Sequence, residues 1–149
     1  MKIKHTIITI IMLFLSFTVV AKESGSSSLT ALSAWTNQSG STLYINTIDS
    51  SGLLTGTFIN RAAGYGCQNI SYPVTGWVYG TAITFTTIWK STTESCNSIT
   101  AWTGFYYQGK ITTVWQLTIN NSTSMSQIIQ GKDVFKPSSS TTKKSLIMK

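Results

Sequence analysis

The chain has 149 residues, enough for one domain with a real core and too few to argue for two. Only 10% of them are charged, and Thr, Ser, Ile and aromatic residues are plentiful, a composition that favours strands over helices. The net charge of +7 overstates the body of the chain: Lys2 and Lys4 precede an apolar run, and Lys143, Lys144 and Lys149 follow Pro137. Between Lys22 and Lys136, six basic residues face four acidic ones, which excludes the basic patch of a nucleic-acid binder.

In chain order, residues 1–21 read as a secretory signal: two lysines, an apolar run from Ile7 to Val20, and a small-residue cleavage site ending at Ala21. The run falls short of the roughly 20 apolar residues that span a bilayer, so a secreted or periplasmic product with no membrane attachment after cleavage is expected. Residues 22–28 form a Ser/Gly linker, residues 29–136 the folded domain, and residues 137–149 a Ser/Thr/Lys-rich tail.

Within the domain, strand-like runs alternate with turn signals. Leu32 to Thr36 is a first strand. Leu43, Ile45 and Thr47 alternate with Tyr44, Asn46 and Ile48 in a second, ended by the turn at Asp49 to Gly52. Leu53 to Asn60 follows, with Gly56 allowing a bend or the close approach of a neighbour. After a loop at 61–69 come Ser71 to Tyr79 and Ala82 to Trp89, then a second polar loop at 90–98. Thr100 to Tyr107 and Lys110 to Ile119 make a hairpin about Gln108-Gly109, and a last strand lies within Gln127 to Phe135. Eight antiparallel strands with short connections suit a closed up-and-down β-barrel, but a sandwich shows the same spacing.

Catalytic equipment is sparse. The single histidine, His5, leaves with the leader, and the four acids Glu23, Asp49, Glu94 and Asp133 are scattered, so no enzyme is expected. Two thiols without histidine make a poor metal site; in an oxidising compartment Cys67 and Cys96 read as a disulfide, for which chain entropy gives about 3.6 kcal/mol. Equipment for holding a ligand is abundant. Around the turn Trp35-Thr36-Asn37-Gln38-Ser39-Gly40-Ser41-Thr42, an amide and a hydroxyl can both donate to one carbonyl oxygen beside an indole, although a hairpin turn with a half-buried Trp explains the same stretch. Core filling explains each of the five tryptophans singly, yet a buried indole N–H needs an acceptor, and sequences that need only volume favour Leu or Ile.

Several ordered motifs carry a resemblance over about Leu29 to Phe135: the 35–42 stretch, Leu-Thr-Gly-Thr-Phe (54–58), Asn-Arg-Ala-Ala-Gly (60–64), Tyr-Pro-Val-Thr-Gly (72–76), Ile-Trp-Lys (88–90), Cys-Asn-Ser-Ile-Thr-Ala-Trp-Thr-Gly (96–104), Val-Trp-Gln-Leu (114–117) and Gly-Lys-Asp-Val-Phe (131–135). Together they resemble the avidin and streptavidin family of biotin-binding proteins, within it the dimeric rhizavidin type. The resemblance implies an all-β, eight-stranded barrel, and biotin as a ligand and not a cofactor. Asn37 and Ser41 would donate to the ureido oxygen, and Asn60 and Asp133 would accept from its N–H groups. Thr100 would meet the ring sulfur, Ser98 with the backbone around Ala62, Ala63 and Gly64 would meet the valerate carboxylate, and Trp35, Trp89, Trp102 and Trp115 would form the aromatic walls. Phe58 departs from the family, which usually places a Tyr hydroxyl there, and Trp77 matches no site role. The resemblance also implies a homodimer, a Cys67–Cys96 bond joining the loops at 61–69 and 90–98, and a missing lid, since no Trp lies between Asn120 and Gln130. Biotin sequestration is the purpose such a protein would serve. Two other readings remain open: a secreted barrel carrying a different small ligand, and a secreted adhesion or structural module that binds a glycan or protein.

Overall fold

Eight runs of alternating side chains form strands in the computed structural model, which describes residues 29–121 and 123–139. They are β1 (Ser33–Thr36), β2 (Thr42–Ile48), β3 (Leu53–Ile59), β4 (Ser71–Tyr79), β5 (Ala82–Trp89), β6 (Ser98–Tyr107), β7 (Lys110–Ile119) and β8 (Ile128–Pro137), with one 3-10 turn at Met125–Gln127. Each strand pairs antiparallel with the next and β8 returns to β1, so the sheet closes on itself. Closure decides between the two architectures that the strand spacing allowed: a barrel has no free edge, whereas a sandwich keeps several. The expected leader and linker, and the tail beyond residue 139, lie outside the described residues. No helix among the described residues is long and apolar enough to cross a membrane.

Period-two alternation sends Leu43, Ile45, Leu54, Phe58, Val74, Ile83, Phe85, Ile111 and Phe135 into one interior cluster. Gly56 has the function foreseen for it: a Cβ there would lie 1.9 Å from the Tyr44 carbonyl oxygen, so only glycine lets β3 approach β2 this closely. At the β6–β7 turn, Gln108 and Gly109 both take positive φ, the backbone that a two-residue hairpin with right-handed strand twist demands.

The structure shifts four details. Leu32 lies outside β1, left-handed and 83% exposed. β2 carries a bulge, because Ile45 pairs with Gly56 and Thr47 with Thr55; Asn46 is the extra residue, and beyond it Thr47 turns outward where strict alternation would point it in. β6 begins at Ser98, because Ser98 and Ile99 pair with Trp89 and Ile88. β8 runs two residues past Phe135, since Lys136 and Pro137 pair with Thr36 and Trp35 to close the barrel. A proline is tolerated there at the last position of the ladder, where its missing N–H removes little.

Candidate functional site

Because the strands alternate in direction, one end of the barrel carries the tight turns at 49–52, 80–81 and 108–109. The other end carries the turn at 37–41, the loops at 60–70 and 90–97, and the crossing before β8. At this second end the interior opens into a cavity of about 510 Å³. Its wall is drawn from β3, β5, β6, β7, β8 and both loops, and includes Phe58, Trp89, Trp102, Trp115, Asn37, Ser41, Asn60 and Asp133.

The aromatic part is built as a stack. The Phe58 and Trp102 rings lie 4.9 Å apart at 29°, and Trp102 and Phe85 lie 4.8 Å apart at 13°, so Trp102 is held between two phenyl rings. Trp89 meets Phe58 edge-on at 5.8 Å. Trp115 stands on β7 against Gly131 of β8, where any Cβ would come within 2.4 Å of the indole; the glycine makes room for the ring to lie along the wall.

The two buried indoles at the cavity, Trp89 and Trp102, find their acceptors inside the site. Trp89 Nε1 donates to Thr100 Oγ1 at 2.8 Å, and Trp102 Nε1 donates to Asp133 Oδ2 at 2.8 Å. The other oxygen of Asp133 accepts from Asn37 Nδ2 at 3.0 Å and from Gln38 Nε2 at 2.9 Å. A carboxylate 7% exposed is thus held by three neutral N–H donors. Asn37 is oriented by its own turn: its Oδ1 accepts from the backbone N–H groups of Ser39 and Ser41, which fixes the Nδ2 end toward the cavity side. Ser41 Oγ accepts from the Arg61 N–H at 2.8 Å and donates to Asn60 Oδ1 at 3.3 Å; that oxygen also accepts from the Ala62 N–H.

Read across the cavity from β8 to β3, the polar groups are therefore an acceptor (Asp133), a donor (Asn37), a donor (Ser41) and an acceptor (Asn60). A planar group whose carbonyl oxygen sits between two N–H groups is the chemical complement of that order. Ser98 and Thr100 add hydroxyls to the lining, and Ala62 and Gly64 line it from the loop after β3.

The loops that frame the mouth are tied together. Cys67 and Cys96 form a disulfide with Cα atoms 5.9 Å apart, and the Cys67 N–H donates to Glu94 Oε2 at 2.6 Å. Among the described residues no group of three or more potential metal ligands occurs.

Of the residues singled out from sequence, Ala63 and Trp35 do not line the cavity. Trp35 is buried on β1, its ring meeting Tyr106 edge-on at 5.8 Å and its N–H donating to Ser33 Oγ. The alternation that puts Asn37 at the cavity places Trp35 deeper and toward the far end. Trp77 points outward from β4, 54% exposed. Gln38, Tyr65, Asn97, Leu117, Ile119 and Ile129 line the cavity and had not been singled out. Leu117 and Ile119 were legible, since they share the face of Trp115 two and four residues on; Gln38 and Tyr65 sit in a turn and a loop, where no periodicity marks direction.

A closed barrel of eight strands, with an aromatic floor and a few convergent polar groups at one end, is the build of a small-molecule binding protein. The particular family follows from comparison: the avidin family model matches residues 25–138, and the chain belongs to the avidin family. Afifavidin of Afifella pfennigii is 39% identical over 107 residues, covering 69% of this chain and 66% of Afifavidin. Among solved structures, apo shwanavidin is 62% identical over 75% of this chain and 99% of its own, with a TM-score of 0.70. The rhizavidin–biotin complex is 45% identical over 73% of this chain and 92% of its own, with a TM-score of 0.66.

Proposed function

We propose that this chain binds biotin in the cavity at the open end of the barrel, with high affinity and without catalysis. The observation that carries the reading is the acceptor, donor, donor, acceptor order of Asp133, Asn37, Ser41 and Asn60 above a floor of stacked rings. It matches the N–H, carbonyl and N–H sequence of a cyclic urea. A charged acceptor at one flank polarises the ureido group and raises the negative charge on its oxygen, which takes an N–H from Asn37 and the Ser41 O–H once that hydroxyl turns from Asn60 to the ligand. The thioether ring lies toward Thr100 and the indoles, and the valerate carboxylate toward Ser98 and the backbone of Ala62 and Gly64. Phe58 supplies a wall and no donor, so the ureido oxygen relies on Asn37 and Ser41.

Calorimetric titration of the purified mature protein tests the assignment. Asp133→Ala weakens biotin binding at least about tenfold, as expected for losing a hydrogen bond to a charged group, and Trp77→Ala leaves it unchanged. If biotin neither quenches tryptophan fluorescence nor raises the melting temperature, the cavity serves another ligand.

The remaining assignments are of the same kind. The chain is exported to a secreted or periplasmic location, where the oxidising environment supports the Cys67–Cys96 bond. Two copies associate through the outer face of β5 to β8, and biotin sequestration is the purpose served.

A further inference from the structure

Arg61 is the second residue past β3, and it does not line the cavity although Asn60 and Ala62 on either side of it do. The paired ladder of β2 and β3 stops at Thr42 and Ile59. Beyond it the two segments part, one into the turn at 37–41 and the other into the loop at 60–70, and Arg61 carries the connection on. Its backbone N–H donates to Ser41 Oγ at 2.8 Å, and its guanidinium Nη1 donates to the Gly40 carbonyl at 3.2 Å and to Thr42 Oγ1 at 2.9 Å. The residues that the guanidinium grips are the two neighbours of Ser41. Thr42 alternates with the interior Leu43, so the grip closes from outside the barrel while Ser41 lines the cavity.

The consequence for Ser41 follows from the chemistry of a hydroxyl, which has one hydrogen to give and two lone pairs to offer. The Arg61 N–H occupies a lone pair, and the hydrogen goes to Asn60 Oδ1 at 3.3 Å, a long bond that a better acceptor in the cavity can replace. Within the turn, the Gly40 N–H donates to the Asn37 carbonyl and the Asn37 N–H to the Ser41 carbonyl, which shapes the turn itself. The guanidinium fixes that turn against the end of β3. A donor held in place before the ligand arrives costs less ordering on binding.

We propose that Arg61 is a positioning residue for the Ser41 donor: its guanidinium, bonded to the backbone before Ser41 and to the side chain after it, holds that hydroxyl where the ligand's carbonyl oxygen is met. The proposal rests on the biotin reading of the cavity and deepens it. Because Phe58 brings no donor, the ureido oxygen depends on Asn37 and Ser41, and a displaced Ser41 forfeits one of the two.

A double-mutant cycle tests it, with biotin affinity read by competition calorimetry. Arg61→Met keeps the aliphatic stem and removes the guanidinium. It weakens binding about fivefold when Ser41 is present and by less than about twofold in Ser41→Ala, where no hydroxyl is left to place. Thr42→Val takes one acceptor from the guanidinium and keeps the side-chain shape, so it runs the same cycle without touching Arg61; it too weakens binding only when Ser41 is present. Losses of equal size with and without Ser41 would mean that the charge of Arg61 or general support of the fold is what matters, and they overturn the proposal. Unchanged affinity in Arg61→Met with Ser41 present overturns it as well, and leaves biotin binding standing. A wild-type chain that takes up no biotin overturns the proposed function and this inference with it.

Discussion

Within the barrel interior, polar side chains are tolerated only where a partner is built in, and Thr87 is the described residue that breaks this pattern. It is buried on β5 between Phe85 and Trp89, and its Oγ1 has no hydrogen-bond partner. Its neighbours show what satisfaction looks like: the hydroxyl of Thr100, on the paired strand, accepts the Trp89 indole N–H. An unpaired buried hydroxyl costs free energy that an isosteric methyl would not. Thr87→Val should therefore raise the unfolding free energy by about 1 kcal/mol, read from urea denaturation, and leave biotin affinity unchanged because Thr87 does not line the cavity. A lowered midpoint would show that the hydroxyl is engaged after all. At this scale the sequence was a good guide to need and a poor guide to partner. That each indole requires an acceptor follows from chemistry alone, and Asp133 was identified as an acceptor by resemblance; that the same carboxylate also receives Trp102 and Gln38 depends on register across three strands, which no local pattern encodes.

Elements were legible where local chemistry dictates them. The turn after β2 is an example: Asp49 Oδ1 accepts from Ser51 Oγ at 2.6 Å, from the Ser51 N–H at 2.8 Å and from the Leu53 N–H at 3.0 Å, so the carboxylate itself folds the turn. The Ser51 hydroxyl in first place, with backbone N–H groups behind it, holds the Asp49 carboxyl below the ordinary carboxylate range. A carboxyl whose folded value lies below its unfolded value of about 3.9 contributes stability that is fully present above that value, and that is lost as pH falls through the folded one. Asp49→Asn should accordingly lower the melting temperature at neutral pH, and the gap to wild type should close in acid. A gap that persists or widens in acid would contradict the assignment. Where an element depends on a partner strand, the sequence was silent. The bulge at Asn46 leaves the apolar alternation of β2 looking regular, yet it turns Thr47 outward; and the reach of β8 to Pro137 is set by β1, far away in sequence.

For the molecule as a whole, closure of the sheet hides one face of every strand and leaves the other to solvent, and the outer face is not uniformly polar. On β5 to β8 it carries Ile88, Ile99, Phe105, Val114, Ile128 and Val134, each exposed to between 37% and 53%. The registers set them in two groups, Ile88, Ile99 and Ile128 linked through Thr118 towards the open end and Phe105 and Val134 linked through Thr112 towards the far end, with Val114 midway between Thr103 and Lys132. So many half-exposed apolar side chains along one face of a sheet are the material of a contact surface. A two-fold contact of the strip with its own copy would cover it on both subunits at once, sheet against sheet, and a stable interface needs about 800 Å² from each partner. Val114 tests this because its side chain points outward while its neighbour Trp115 points into the cavity, so the two surfaces can be perturbed separately. Val114→Lys places a charge within the strip, directly across from Lys132 with no acid opposite, where burial without a partner is costly. Light scattering after size exclusion should give twice the chain mass for the wild type and a single chain mass for the variant, with biotin still bound at one per chain. A variant that stays dimeric would move the interface elsewhere on the barrel, whereas a wild type that is already monomeric would mean that the strip faces water in solution.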